Sequence, residues 1–175
     1  EIADLFDLLT STYPETDFGI HAHNDNDLAV ANTRAAVLHG ATHIQVVSGG
    51  YGERCGNANL FSVVPRLQTK DGFQLVSQEA LKLYTEASKK IATAFNRDPS
   101  ERAAWVGELA FTTYAGMHAD SEKEEKNPGA YSQAHPGVVG NKAYVGVNEN
   151  SGHSNVYSLA KSLGIKLSPD QVDAF

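Results

Sequence analysis

Two histidines one residue apart, His21 and His23, stand in the stretch Gly19-Ile20-His21-Ala22-His23-Asn24-Asp25. Phe18, Ile20 and Ala22 alternate with Gly19, His21 and His23, the period-2 pattern of a strand with two unlike faces. On a strand both imidazoles leave the same face, roughly 7 Å apart at about 3.3 Å per residue. Two nitrogens at about 2.0–2.2 Å from one metal ion fit that separation, and so do two solvated histidines at a strand end. A second group of polar residues, Glu53, Arg54 and Asn57, follows the next apolar run. It sits in a loop with four glycines between Gly49 and Gly56, whose backbone lets a ligand approach closely.

The elements that must position these groups follow from hydrophobic spacing. Ile2, Leu5, Phe6 and Leu9 recur at helical intervals, and Pro14 ends that helix near Thr12. A strand over Phe18–His23 comes next. Asn24 to Asp27 offer N-caps for a helix from about Leu28 to Leu38, which Gly40 stops. Thr42 to Ser48 reads as a second strand and Asn59 to Leu67 as a third helix. Helices alternating with strands at this spacing give a parallel sheet, and in such folds the loops after the strands carry the chemistry. Both strands here end in ligand-type residues.

After Lys70-Asp71-Gly72 the strand rhythm stops. Ser77 caps a long helix to about Phe95, with Leu81, Tyr84, Ile91 and Phe95 on one side. Trp105 to Phe111 is short and apolar, and Thr112 to Asp120 forms a small-residue turn that presents His118. A mixed charge run over 120–126 and the turn Asn127-Pro128-Gly129 precede Tyr131. Tyr144 to Val147 reads as a short strand. Val156, Leu159 and Leu163 mark a helix that Gly164 closes, and Ser168-Pro169-Asp170 opens another.

The 175 residues, 41% of them hydrophobic, suffice for an ordinary domain core. With 14 basic against 21 acidic residues and no basic stripe, nucleic acid is excluded as the main partner. No run approaches the roughly 18 apolar residues of a membrane span, and no signal peptide opens the chain. A single cysteine, Cys55, makes an internal disulfide impossible and points to a reducing, cytoplasmic setting. Cys55 reads as a small buried filler, because no partner base accompanies it. The chain opens at Glu1, inside a helix, and is expected to be a segment of something longer.

Gly-Ile-His-Ala-His-Asn-Asp at 19–25, followed by Leu-Ala-Val-Ala-Asn at 28–32, resembles the metal-binding strand of the 2-isopropylmalate, homocitrate and citramalate synthase family. Gly-Tyr-Gly-Glu-Arg-Cys-Gly-Asn-Ala-Asn-Leu at 50–60 is similar to that family's last barrel strand and loop. Val139-Gly140-Asn141 and Ser151-Gly152-His153-Ser154-Asn155 resemble the post-barrel segment of the citramalate-type members. The resemblance implies an α/β fold, the C-terminal portion of a (β/α)8 TIM barrel followed by a mostly helical linker subdomain. Residues 1–68 would be the last two βα units and 69–175 the linker. The six earlier strands, with an Arg-Asp pair that completes the metal site, would lie outside the chain. Asp27 departs from the family, which favours glycine there; an extra N-cap is the expected reason.

The implied activity is a Claisen condensation of acetyl-CoA with a small 2-oxo acid, followed by thioester hydrolysis, in isoleucine or leucine biosynthesis. His21, His23 and Asn57 would ligate a divalent cation, Zn, Mn or Mg, that polarises the ketone. His118 would handle the proton and Tyr131 would reach the neighbouring subunit of a homodimer. Thr113 stands where citramalate-type members carry a further histidine, which leaves the subtype open. Asp25 would orient a ligand histidine, and Glu53 and Arg54 would pair with each other to hold the loop. Pyruvate is the expected 2-oxo acid, with 2-isopropylmalate synthesis the alternative. Two other readings stand: a metal-dependent hydrolase, which also uses H-x-H on a barrel strand, and a non-catalytic dimerisation module.

Overall fold

The computed structural model describes residues 1–114, 132–147, 152–168 and 171. The chain divides into two compact units, Glu1–Pro99 and Ser100–Phe175. The first unit begins with α1 (Ile2–Thr12), whose apolar stripe buries Phe6. Glu1 and Asp4 form a reciprocal capping box at its start. β1 (Gly19–His21) and β2 (His43–Gln45) pair in parallel, with Ile20 opposite Ile44 and His21 opposite Gln45. α2 (Ala29–Leu38) connects them. The helix, strand and parallel pairing expected from spacing are all present, although each regular strand is shorter than the apolar run that announced it.

The two faces of β1 separate as the alternation requires. Ala22 joins a core cluster with Ala29, Ala58, Val63 and Leu67, against which Ile20, Ile44 and Val46 pack. Phe18 and Ile20 also pack on a second cluster of Phe6, Ala36 and Ala41. His21 and His23, the residues in between, are exposed on the other side.

The turn into α2 differs from the expected capping. Asp27 is not an N-cap; it takes a left-handed conformation, φ 58°, that turns the chain between β1 and α2. Asn24 does the capping from five residues back, its Oδ1 accepting from the Ala29 amide at 3.1 Å. Its Nδ2 donates to Asp27 Oδ1 at 3.1 Å. Left-handed backbone favours glycine, and aspartate tolerates it better than most because its short side chain bonds locally. That accounts for a position where glycine is usual in the resembling family.

After β2 and a tight turn at Ser48–Gly50, the chain returns between the ends of the two strands. Val47 donates to Ala58 O at 3.0 Å, Ala58 to Ala22 O at 3.2 Å, and Asn24 to Gly56 O at 2.9 Å. Asn57 forms an isolated antiparallel bridge with His23. Asn59 then caps α3 (Leu60–Lys70) through its side chain, which accepts from the Phe61 amide. α3 buries Phe61, Val63, Val64 and Leu67, and so locks the returning strand end onto the core.

The single long helix expected from Ser77 to Phe95 is two helices, α4 (Gln78–Leu81) and α5 (Tyr84–Ala94). Ser77 caps α4 as its type suggests. The break falls at Lys82-Leu83, where the Leu83 amide donates to Ala80 O, three residues back, and a new ladder starts from Leu83 O to Ala87. No glycine or proline marks it; the tighter turn is what lets Tyr84 meet the Phe61 ring edge-on at 5.4 Å.

The second unit contains, among its described residues, a parallel pair β3 (Thr112–Thr113) and β4 (Tyr144–Val145), short 3-10 turns at Glu108–Phe111 and Pro136–Val139, and α6 (His153–Ser162). Two asparagines tie its loops. Asn141 Nδ2 donates to Trp105 O and Gly107 O, and Asn155 Nδ2 to Tyr114 O and Gly146 O. Gly164, φ 72°, ends α6 where expected. The turn at 127–129, the charge run at 120–126, His118, Tyr131 and most of the segment at 168–170 lie outside the described residues.

Candidate metal centre

The end of β1 and the returning segment after β2 bring three nitrogen-bearing side chains together. Asn57 Nδ2 lies 3.2 Å from His21 Nε2 and 3.4 Å from His23 Nδ1, and donates to Ala22 O at 3.3 Å. The imidazole rings stand 5.3 Å apart, nearly perpendicular at 81°. Asn57 is buried, 8% exposed, while both rings are open to solvent. The cause is local. Alternation places both rings on the face away from Ile20 and Ala22, and the His23–Asn57 bridge fixes the carboxamide beside them.

A carboxamide NH2 has two hydrogens, and three nitrogen or oxygen atoms stand within 3.4 Å of it: the two ring nitrogens and Ala22 O. Two imidazoles and a carboxamide gathered at one point are donor types that a divalent cation takes. A half-turn of the amide exchanges Nδ2 for Oδ1 and gives an N2O donor set, which fits a borderline-to-hard divalent metal. Among the described residues no group of three or more His, Cys, Asp and Glu side chains is placed to hold a metal.

The residues expected to steady this centre pair differently from expectation. Arg54 does not pair with Glu53. Its Nε and terminal nitrogen bond both oxygens of Asp25, the shortest contact being 2.8 Å. Arg54 sits at φ 57°, a left-handed turn that swings its side chain across to the β1 end and away from its sequence neighbour. Asp25 consequently bonds no ring nitrogen. The Arg54 guanidinium holds the Asp25 carboxyl below the usual carboxylate range, with the neighbouring His23 acting in the same sense. Glu53 is exposed and contributes its backbone carbonyl to the Gly56 amide. Cys55 is also exposed, not a buried filler, because the left-handed turns at Arg54 and Gly56 hold it on the outside of the loop.

The glycine loop walls a cavity of about 310 Å³ with Tyr51, Arg54, Phe95 and Arg97. Arg97 lies over the Tyr51 ring at 5.6 Å, and Phe95 packs against the same ring at 5.4 Å. A second cavity of about 350 Å³ adjoins the two histidines and is bordered by Ile2, Phe6, Leu9 and Asn32. Some forty residues separate Phe95 and Arg97 from the loop, and no local pattern links them to it. Asp71, at the end of α3, is a second long-range anchor. That carboxylate takes two bonds from Arg34, at 2.7 and 2.8 Å, and lies 3.3 Å from Arg66. It fastens α2 to the end of α3 behind the site.

Parallel strands joined by helices, with polar groups gathered at the strand ends, define a protein of the α/β class. The chain belongs to the HMGL-like family, whose model matches residues 1–91 and whose fold is the TIM barrel. It is 39% identical over 169 residues to the (R)-citramalate synthase of Aquifex aeolicus, covering 97% of this chain and 32% of that protein. It is 43% identical over 149 residues to the (R)-citramalate synthase of Synechocystis sp., covering 85% of this chain and 27% of the relative. The 2-isopropylmalate synthase of Rhodopseudomonas palustris is 33% identical over 178 residues, covering 99% of this chain and 34% of the relative. The chain thus spans about a third of the length of the curated relatives it matches.

Proposed function

We propose that this chain is the C-terminal part of a barrel, residues 1–68, with its following linker, residues 69–175, from an enzyme that condenses acetyl-CoA with a 2-oxo acid. The observation that carries the reading is the convergence of His21, His23 and Asn57 on one point at the strand ends. In a family whose similar members are named citramalate and 2-isopropylmalate synthases, that convergence supports a divalent-cation site built for a keto acid. Zn, Mn and Mg suit two imidazoles and an amide oxygen in decreasing comfort.

When bound there, a divalent cation supplies Lewis-acid polarisation of the keto oxygen. His21 and His23 would hold it through their ring nitrogens, and Asn57, held in place by its backbone bridge, would offer its amide oxygen as a further donor. Arg54 and Asp25 tie the glycine loop to the end of β1, so that the loop stays beside the substrate. The cavity under Tyr51 and Arg97 offers an aromatic face and a guanidinium to an anionic acyl carrier. His118 takes a proton from the acetyl methyl group, and the enolate carbon bonds to the keto carbon as the C=O π pair moves onto the keto oxygen, which takes up a proton to become the hydroxyl. Water then cleaves the thioester, and coenzyme A leaves as the free thiol. Tyr131 acts across a homodimer, and the enzyme works in the cytoplasm in branched-chain amino-acid synthesis.

The favoured 2-oxo acid is pyruvate, in keeping with the higher identity to the citramalate synthases; 2-oxoisovalerate is the alternative. Coenzyme A release by the intact protein, with a divalent metal present, is expected to be faster with pyruvate. Faster release with 2-oxoisovalerate would give the alternative, and no release with either would refute the condensing reaction.

A further inference from the structure

The four glycines of the loop are not equivalent. Gly49, Gly50 and Gly56 have φ of 68°, 72° and 88°, left-handed values that account for glycine on backbone grounds. Gly52 has no such angle, and its backbone is open to any residue. What excludes a side chain at Gly52 is space. A Cβ there would overlap Asn57 Oδ1, stand 3.1 Å from Asn57 Cγ and 3.3 Å from Gly56 Cα.

Asn57 has little freedom to yield. Its backbone is bridged to His23 and its amide donates to Gly50 O at 3.1 Å. Its carboxamide is enclosed, with the two ring nitrogens and Ala22 O on one side and Gly52 on the other. Turning the amide over exchanges its oxygen and nitrogen but leaves an atom of similar size above Gly52. A methyl group at this position therefore drives the carboxamide toward the rings or out of line with them.

We propose that Gly52 is a positioning residue for the cation centre: its missing side chain sets where the Asn57 carboxamide stands relative to His21 and His23. The inference rests on the cation-site reading above and adds to it a residue that touches no metal. Groups that only orient a ligand typically alter metal affinity by about 10–100-fold.

The test is Mn²⁺ titration of the intact, metal-stripped protein by calorimetry, with thermal melting of each variant. Gly52→Ala should weaken Mn²⁺ binding about tenfold or more. Asn57→Ala should weaken it as well, and the double variant Gly52→Ala/Asn57→Ala should bind and melt like Asn57→Ala alone, because the overlap is gone. Should Gly52→Ala fold poorly, the double variant should regain the melting point of Asn57→Ala. Wild-type affinity in Gly52→Ala, or losses that multiply in the double variant, would overturn the role of Gly52. Absence of Mn²⁺ uptake by the wild type, or undiminished uptake by Asn57→Ala, would instead overturn the cation-site reading beneath it.

Discussion

Replacing Asp71 by alanine tests how much the first unit depends on the clamp that joins α2 to the end of α3. The Asp71 side chain is 6% exposed and takes both short bonds from Arg34, with Arg66 adding longer ones. A hydrogen bond to a charged group contributes about 1.5–3 kcal/mol when shielded, and an exposed ion pair contributes about 0–1 kcal/mol. The two arginines are 36% and 40% exposed, so water reaches them once the carboxylate is gone and the loss falls between those limits. The expected cost of Asp71→Ala is about 2 kcal/mol, or a fall in Tm of roughly 4–8 °C. The Arg34 bonds hold the Asp71 carboxyl below its usual range, with Arg66 assisting. For a depressed carboxylate the stabilisation is complete above the unfolded value of about 3.9 and is lost as pH falls through the folded value. Urea denaturation of the intact wild type and Asp71→Ala from neutral to acid pH should therefore show a gap that closes at the acid end. A neutral-pH gap under about 0.5 kcal/mol, or one that widens toward acid, would refute the reasoning.

Other expectations are simpler to check. Asp27→Gly should shift stability by less than about 1 kcal/mol, since glycine suits φ 58°, whereas Asp27→Val should cost about 2 kcal/mol or more in the same denaturation assay. Cys55 is exposed on the loop and should be labelled by a thiol reagent in the native protein, as read by mass mapping of the peptide that carries it; protection of that peptide until unfolding would contradict its placement. Arg54→Ala should leave the melting point nearly unchanged, because the Asp25 pair is open to solvent. It should nevertheless raise KM for acetyl-CoA in the release assay by loosening the loop. An unaltered KM would separate the clamp from substrate binding.

What the sequence made legible was whatever depends on short-range periodicity. Ile20 and Ala22 against His21 and His23 announced both the core face and the exposed face of β1 and the residues just after it. Apolar spacing announced α1, α2 and α3, with Gly40 as a stop, while Asn59, expected as the first residue of α3, is its cap. The partners across space were not legible. Arg54 reaches Asp25 and not its neighbour Glu53 because a left-handed residue redirects its side chain, and nothing in its immediate neighbours signals that angle. The break between α4 and α5 lacks a glycine or proline, and Tyr84, which opens α5, meets Phe61, a residue far from it in the chain. Asp71 carries no local sign of its role, because its arginines come from α2 and α3. Asn57 was reached through resemblance, and its place beside both rings depends on a backbone bridge between residues far apart in the chain.

The most direct measurement is coenzyme A release from acetyl-CoA and pyruvate by the intact protein, before and after metal removal, in the wild type and in His21→Ala. The account predicts release that disappears with the metal, returns when a divalent cation is restored, and is lost in His21→Ala although that variant melts within a few degrees of the wild type. A His21→Ala protein that turns over like the wild type would contradict the assignment of the strand-end histidines to the catalytic cation.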